Sequence, residues 1–381
     1  MQIRIASKRF RNNHNKMIAS DKHPGLDEAV ALLQRLISTP SPSREETATA
    51  DIWEEWLQSH GVENVERLHN NVFVLSEDFD PTRPTLMLNS HHDTVRPAAS
   101  YTQNPYQPSI EGDRLYGLGS NDAGASGVAL AMSFLELSKG GHRLPVNLLL
   151  AITAAEEVMG ELGMRAFLPY LAERGLTPDM VIVGEPTGMQ PAVAERGLLV
   201  LDAVTEGKSG HAARNEGTNA IYRALEDIEI LRNIRTDKIS EILGPLRVNI
   251  TMINAGTQHN VVPDRCRYVV DVRTTDSYTN EETVELLRRA VRWSTLTPRS
   301  TRVQASVISE SHPLVKSACS LGLTPFVSPT TSDMALMYGI PSLKIGPGES
   351  SRSHTADEFV KISEINEALF IYPELIKGLQ Q

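Results

Sequence analysis

Five places in this sequence put metal-ligand side chains just beyond short apolar runs. PTLMLNS leads into His91-His92-Asp93, RLYGLGSN into Asp122, and LLLAITAA into Glu156 and Glu157. MVIVG leads into Glu185, and SLKIGPGESSRS into His354. Taken singly, each is the kind of residue that caps a helix or ends in a solvated turn. Gathered on one sheet edge, however, these carboxylates would repel strongly unless cations neutralised them, so bound metal is the economical interpretation.

Spacing refines the assignment. Residues i and i+2 of an extended chain face the same side, so Asp93 can hold one ring nitrogen of His91 and leave the other for a metal. His92 then faces away and is not counted as a ligand. Gly117-Leu118-Gly119-Ser120-Asn121-Asp122 superficially matches a dinucleotide fingerprint, but an acid where a pyrophosphate would approach argues against one.

Such residues need a scaffold that brings strand ends together. Strand-like runs (NVFVLS, PTLMLNSH, VNLLLAIT, DMVIVGEPT) alternate with helical ones: from Leu26 to Leu57, after Gly124, and from Met164 to Glu173. The strands lack polar alternation, which predicts a parallel or mixed sheet covered by helices on both faces. Ligands of such a sheet bind beyond the carboxyl ends of its strands. After Arg196 the texture changes to half-polar strands in the order β-α-β-β-α-β. These are GLLVLDAVTEG, a helix with Ile221, Ala224, Ile228 and Leu231 on one stripe, RVNITMINAG, RYVVDVRTT, a helix from about Glu281 to Trp293, and TRVQASVI. The first texture resumes at His312 and ends in a helix from Ser363. The expected organisation is a catalytic domain of residues 1–195 and 309–381 interrupted by an inserted domain of residues 196–308.

The composition excludes several classes. A net charge of −10 without a basic, aromatic-laced stripe argues against nucleic acid, and no apolar run approaches the roughly 20 residues that span a bilayer. Two cysteines, Cys266 and Cys319, cannot build a disulfide framework, so a cytoplasmic location is expected. Residues 1–16 are basic and lack the apolar core of a signal peptide. They read as a dispensable tail, with Met17 as an alternative start.

In order, the HxD of SHHD, the GxGxxD of GLGSND, the EE of AAEEVMG, the EPT of VGEPT and the late histidine of GPGESSRSHTADEFV resemble the signature of the M20 dinuclear metallohydrolases, the aminoacylase and acetylornithine deacetylase family. The resemblance spans nearly the whole chain. It implies a zinc-hydrolase-like α/β/α catalytic domain with an inserted lid and dimerisation domain. It also implies two divalent ions, usually zinc with cobalt or manganese as substitutes, held by His91, Asp122 and Glu185 and by Asp122, Glu157 and His354, with Asp122 bridging. Side chains of adjacent residues diverge, so Glu157 can bind metal while Glu156 faces the attacking water as general base and then general acid. For that Glu156 needs apolar surroundings, expected from Ala154, Ala155 and Val158, to stay basic beside two cations.

In the inserted domain the resemblance assigns His211 of GKSGHAA to the tetrahedral oxyanion across a dimer interface, and Asn260 and Arg273 to the substrate. Arg273 suits a bidentate grip on a carboxylate, although Asp271 or Asp276 could pair with it instead. The chain departs from the family pattern in lacking the common Met-Lys after Asp122 and in having SHH for Gly-His, and neither change removes a ligand. The resemblance thus implies a homodimeric deacylase of N-acylated amino acids, most like the acetylornithine deacetylase of arginine biosynthesis. Succinyl-diaminopimelate desuccinylase and a dipeptidase or aminotripeptidase are the alternatives. A non-catalytic binding protein on the same scaffold would be expected to have lost Glu156 or a ligand, and all are present.

Overall fold

A computed structural model of the chain describes residues 21–139, 144–214 and 216–380. The basic segment 1–16 lies outside them. The described residues form two compact units: one runs up to Val193 and includes Ile308–Phe326 and the residues from Ser332 on, and the other is Ala194–Val307 with Val327–Thr331. No helix among the described residues is long and apolar enough to cross a membrane.

The first unit is built on four neighbouring parallel strands, Asn147–Thr153, Thr85–His91, Met180–Val183 and Ser342–Lys344. Asn71–Leu75 and Glu66–Leu68 extend the sheet antiparallel beyond Asn147–Thr153. Every residue of Thr85–His91 and Asn147–Thr153 is buried, as unbroken apolar runs require. Alternate side chains feed two separate cores. Val72, Val74, Leu86, Leu88, Leu148, Leu150 and Ile182 pack with the helices Leu26–Ile37, Thr47–Ser59, Ala125–Lys139 and Ile362–Lys377. Phe73, Met87, Leu149, Ala151, Val181 and Val183 pack with the helix Met164–Glu173 on the other face. The result is an α/β/α sandwich whose central strands deliver their carboxyl ends to one edge. The helical spacing from Leu26 to Leu57 resolves into two helices because Pro40 and Pro42 between them supply no N–H to a helix ladder.

The second unit is a four-stranded antiparallel sheet in the order Arg247–Ala255, Arg265–Thr274, Gly197–Glu206, Ser294–Ser300. The helices Ala220–Arg232 and Asn280–Ala290 contribute Ala220, Ala224, Leu231, Val284 and Leu287 to the same core as Leu199, Leu201, Val270 and Val272. The fourth strand differs from the sequence expectation. The helix stops at Ala290 and the strand occupies Ser294–Ser300, leaving only Ser306–Val307 of TRVQASVI extended in a ladder. Asp227 is the physical reason: its buried carboxylate accepts the N–H groups of Arg292, Trp293 and Ser294 and the Ser294 hydroxyl, at 2.6–3.0 Å. This pulls the chain out of helix. Pro298 is tolerated because the strand lies at the sheet edge.

Candidate active site

Strand ends of the central sheet place His91, Glu156, Glu157 and Glu185, whereas Asp122 follows Arg114–Tyr116 of a separate antiparallel sheet and His354 lies in a loop ten residues beyond Ser342–Lys344, so the expected five strand ends on one sheet edge hold only in part. His91 is the last residue of Thr85–His91. Its Nδ1 lies 2.9 Å from the backbone carbonyl oxygen of Asp93, which accepts the ring N–H. The Asp93 carboxylate stands further off, at 3.4 Å. The residue that was expected to hold the ring does so, but through its main chain. Nε2 is thereby aimed at Asp122 Oδ1 (3.3 Å) and Glu185 Oε1 (3.7 Å). His92 is a core residue, with Nδ1 against the Thr49 hydroxyl and Nε2 against the Asn70 carbonyl, both at 2.9 Å.

Asp122 sits in a tight turn, Ser120–Gly124, that precedes the helix Ala125–Lys139. Its second oxygen, Oδ2, is 3.6 Å from His354 Nε2, which in turn lies 2.9 Å from Glu157 Oε2. One ligand atom from each of His91, Asp122 and Glu185 falls within 4.8 Å of the others, and the same holds for Asp122, Glu157 and His354. The two triads therefore meet at Asp122, one oxygen toward each imidazole.

Glu156 and Glu157 follow the strand Asn147–Thr153 in a turn where Ala155 has φ +57°. Asp93 holds this turn: its Oδ1 accepts the Glu156 N–H at 3.0 Å and its Oδ2 the Glu157 N–H at 3.3 Å, together with the Ser43 hydroxyl at 2.7 Å. Glu156 is buried, and its burial, followed by the charges of Glu185, Asp333 and Glu157, keeps its carboxyl well above the usual range despite the nearby His91. The expected apolar neighbours are only partly present. Ala154 and Ala155 are buried, but Val158 is 46% exposed, because the turn continues through Met159 at φ +46° and carries Val158 outward. Crowded carboxylates supply what Val158 does not.

The electrostatics suit divalent cations. Burial and then Asp122 push Glu185 up to about 8, and the Glu157 hydrogen bond raises His354 to about 9. The crowded negative charge raises both groups, and two divalent ions would supply compensating positive charge. Three carboxylates and two imidazoles form an oxygen and nitrogen donor set for such ions.

Two buried acids escaped the sequence reading. Glu358 accepts the N–H groups of Asn121 and Asp122 at 2.8 and 3.0 Å, and burial followed by the Asp122 charge pushes it up to about 8. It also fills the donor site that a dinucleotide phosphate would need at the Gly-rich turn. Glu46 accepts the Ala155 N–H at 3.1 Å. Neither shows a spacing signal: Glu46 reads as an acid at a helix start and Glu358 as a polar loop residue.

His211, Asn260 and Arg273 belong to the second unit. His211 pairs with Val261 across a two-residue ladder, and the Ala212 N–H donates to the Asn260 carbonyl at 3.1 Å, so His211 and Asn260 share one exposed loop pair. Arg273 donates from Nε and Nη2 to the two oxygens of Asp271, at 3.0 and 3.3 Å, the alternative pairing that the sequence left open.

Comparison with known proteins places this geometry. The family model described as Peptidase family M20/M25/M40 matches residues 87–378. A succinyl-diaminopimelate desuccinylase from Rhizorhabdus wittichii is 28% identical over 375 residues, covering 91% of this chain and 96% of that protein. Among solved structures, an M20 family metallo-carboxypeptidase from Sulfolobus solfataricus superposes with a TM-score of 0.69 at 20% identity, covering 92% of this chain and 99% of that one. A dinuclear metal binding peptidase of the M20 family from Bacillus subtilis superposes with a TM-score of 0.69 at 16% identity, covering 92% and 97%. With the family match spanning most of the chain and a metal-ligand cluster at the sheet edge, this protein belongs to Peptidase family M20/M25/M40, hydrolases that act on amide bonds.

Proposed function

We propose that this chain is a two-metal amide hydrolase that removes the acyl group from an N-acylated amino acid. The observation that carries the proposal is Asp122, which turns one oxygen toward His91 and the other toward His354 while buried Glu156 stands in the same cluster. His91, Asp122 and Glu185 would hold one ion and Asp122, Glu157 and His354 the other, with zinc as the assigned metal. Bound there, the ions would polarise the scissile carbonyl and lower the pKa of the attacking water.

The chain's own residues then move the protons. Burial raises the Glu156 carboxyl above the usual range, the direction that suits a group that takes the proton of the attacking water and returns it to the leaving amine. His211 donates to the developing oxyanion, and Asn260 and Arg273 bind the substrate, Arg273 turning part of its guanidinium from Asp271 to a substrate carboxylate.

Which acyl group is removed divides the candidates. The Rhizorhabdus wittichii relative favours a succinylated diamino acid over acetylornithine, so the desuccinylase alternative leads and arginine-pathway deacetylation comes second to it. A carboxypeptidase action on small peptides is the second reading, favoured by the Sulfolobus solfataricus neighbour. A hydrolysis panel of N-succinyl- and N-acetyl-diaminopimelate, -ornithine and -citrulline with di- and tripeptides, run on zinc-loaded protein, tests all three. Turnover of none of these amides would overturn the proposal.

A homodimer through the second unit belongs to the same proposal. Arg247–Ala255 is the edge strand of its sheet and exposes Met252 and Ile253, while the neighbouring helix Ala220–Arg232 exposes Tyr222 and Leu225. An apolar edge strand flanked by an apolar helix stripe suits pairing with its own copy.

A further inference from the structure

Four consecutive backbone N–H groups in the turn that carries Glu156 donate to four different side-chain oxygens. Ala154 donates to Asn71 Oδ1 (3.0 Å), Ala155 to Glu46 Oε1 (3.1 Å), Glu156 to Asp93 Oδ1 (3.0 Å) and Glu157 to Asp93 Oδ2 (3.3 Å). All three accepting residues are buried to within 1%. Asn71 also donates to the Leu162 carbonyl at 2.7 Å, which ties the far end of the loop to its start. At Gly163 a Cβ would lie 2.0 Å from the Ala154 carbonyl oxygen, so the loop closes on itself where only glycine fits.

Within this cradle Glu46 has a particular task. It occupies the N-cap position of Thr47–Ser59, yet its side chain makes no capping hydrogen bond to that helix. Its Oε1 instead receives the N–H groups of Arg44 and Ala155, and Oε2 receives Asn70 Nδ2 at 3.0 Å. Arg44 and Ala155 have φ of +77° and +57°, a region that residues with a Cβ avoid. One buried carboxylate oxygen thus fixes two left-handed residues, and the second of them immediately precedes Glu156.

We propose that Glu46 is a positioning residue for Glu156, acting through the Ala155 N–H and touching neither metal ligands nor substrate. The inference rests on Glu156 being the general base of the proposed hydrolysis. Without the Glu46 acceptor, a buried N–H at Ala155 loses its partner and the left-handed turn loses its restraint, so the Glu156 carboxylate drifts from the reacting water. A displacement of about 1 Å can cost about 10²-fold in rate.

Glu46→Ala and Glu46→Gln decide the matter, with zinc content measured on both. Glu46→Ala is expected to lower kcat by about 10-fold or more with KM and metal stoichiometry near wild type. Glu46→Gln keeps an Oε1 acceptor for Ala155 but turns an amide NH₂ toward Asn70 Nδ2, so it is expected to recover kcat in part, well ahead of Glu46→Ala. Amide exchange on the metal-free protein supplies a readout independent of turnover: Glu46→Ala should accelerate exchange at Ala155 while the amides of Asn147–Thr153 keep their protection. Wild-type kcat and wild-type Ala155 exchange in Glu46→Ala would overturn the proposal. Should Glu46→Ala not fold, a folded Glu46→Gln whose kcat falls more than about 10-fold while Ala155 exchange stays at the wild-type rate, or whose Ala155 exchange accelerates at wild-type kcat, would overturn it as well. An active Glu156→Gln variant would instead remove the general-base role, leaving the exchange result to report on the cradle alone.

Discussion

Asp93 Oδ1 lies 3.0 Å from the backbone nitrogen of Glu156, while the carbonyl oxygen of the same Asp93 holds His91 Nδ1 at 2.9 Å. One fully buried residue therefore fixes both a proposed metal ligand and the turn that presents the proposed general base. Burial alone would favour the neutral acid, but the His91 contact and the Ser43 and Glu156 hydrogen bonds outweigh it and hold the carboxyl below the usual range. Asp93→Asn would turn an amide NH₂ toward a buried donor, leaving a group unpaired at about 1–3 kcal/mol. The variant should lose kcat and stability together while retaining part of its metal affinity, because the carbonyl grip on His91 survives. Measuring kcat, melting temperature and metal content in one preparation checks this, and complete metal loss would contradict it.

Glu156 and Glu157 are neighbours with separable tasks. Glu157 lies against His354 in one of the two ligand triads, whereas Glu156 belongs to neither. Glu156→Gln should keep its metal and lose at least about 10²-fold in kcat, the usual worth of general acid–base work. Glu157→Gln should lose metal, seen by elemental analysis after gel filtration. Wild-type turnover in Glu156→Gln would refute the assignment.

Metal removal should register as stability. An ion that binds the folded chain but not the unfolded one stabilises by mass action, about 2.7 kcal/mol at a hundredfold excess over Kd. Chelation should therefore lower the melting temperature by roughly 5 °C or more, and zinc should restore it. An unchanged melting curve would show that the triads do not hold ions in solution.

Sequence range decides which parts of this site can be read without a structure. Of the proposed ligands, His91, Glu157 and Glu185 are legible because each follows a buried parallel strand that must deliver its end to one edge, whereas Asp122 and His354 come from loops and are legible only through the family resemblance. The cradle is not legible, because Glu46 and Ala155 meet across 109 residues and a lone glutamate at a helix start looks like ordinary helix-dipole chemistry. The same holds for the strand Ser294–Ser300. Val291 and Trp293 continue the apolar stripe of the preceding helix, and only Asp227, some 65 residues earlier, ends it. Val158 misleads in the opposite way: its apolar type suggests burial, but left-handed Met159 beside it belongs to a turn that carries it outward.

The apolar edge of the second unit makes the oligomeric state testable. Ile253 is 54% exposed on the edge strand, so Ile253→Lys would place a charge on a surface proposed to pair with its copy. The variant should sediment as a monomer and lose most of its activity while its melting transition persists. A fully active Ile253→Lys monomer would contradict the dimer proposal.

The proposed role of His211 gives the sharpest test of that dimer. The proposed metal ligands all belong to the first unit and His211 belongs to the second. If the partner subunit supplies the histidine, then Glu156→Gln and His211→Ala, each inactive alone, repair one another when mixed under conditions that exchange subunits. Each heterodimer then has one site with Glu156 and His211 both intact and one site with both lost. With statistical exchange half the dimers are hybrids, so up to about a quarter of wild-type activity should return. If each chain used its own His211, every site in the mixture would keep one defect. Subunit exchange verified by mass-tagged chains, with no recovery of turnover, would therefore rule out the trans arrangement and confine catalysis to a single chain.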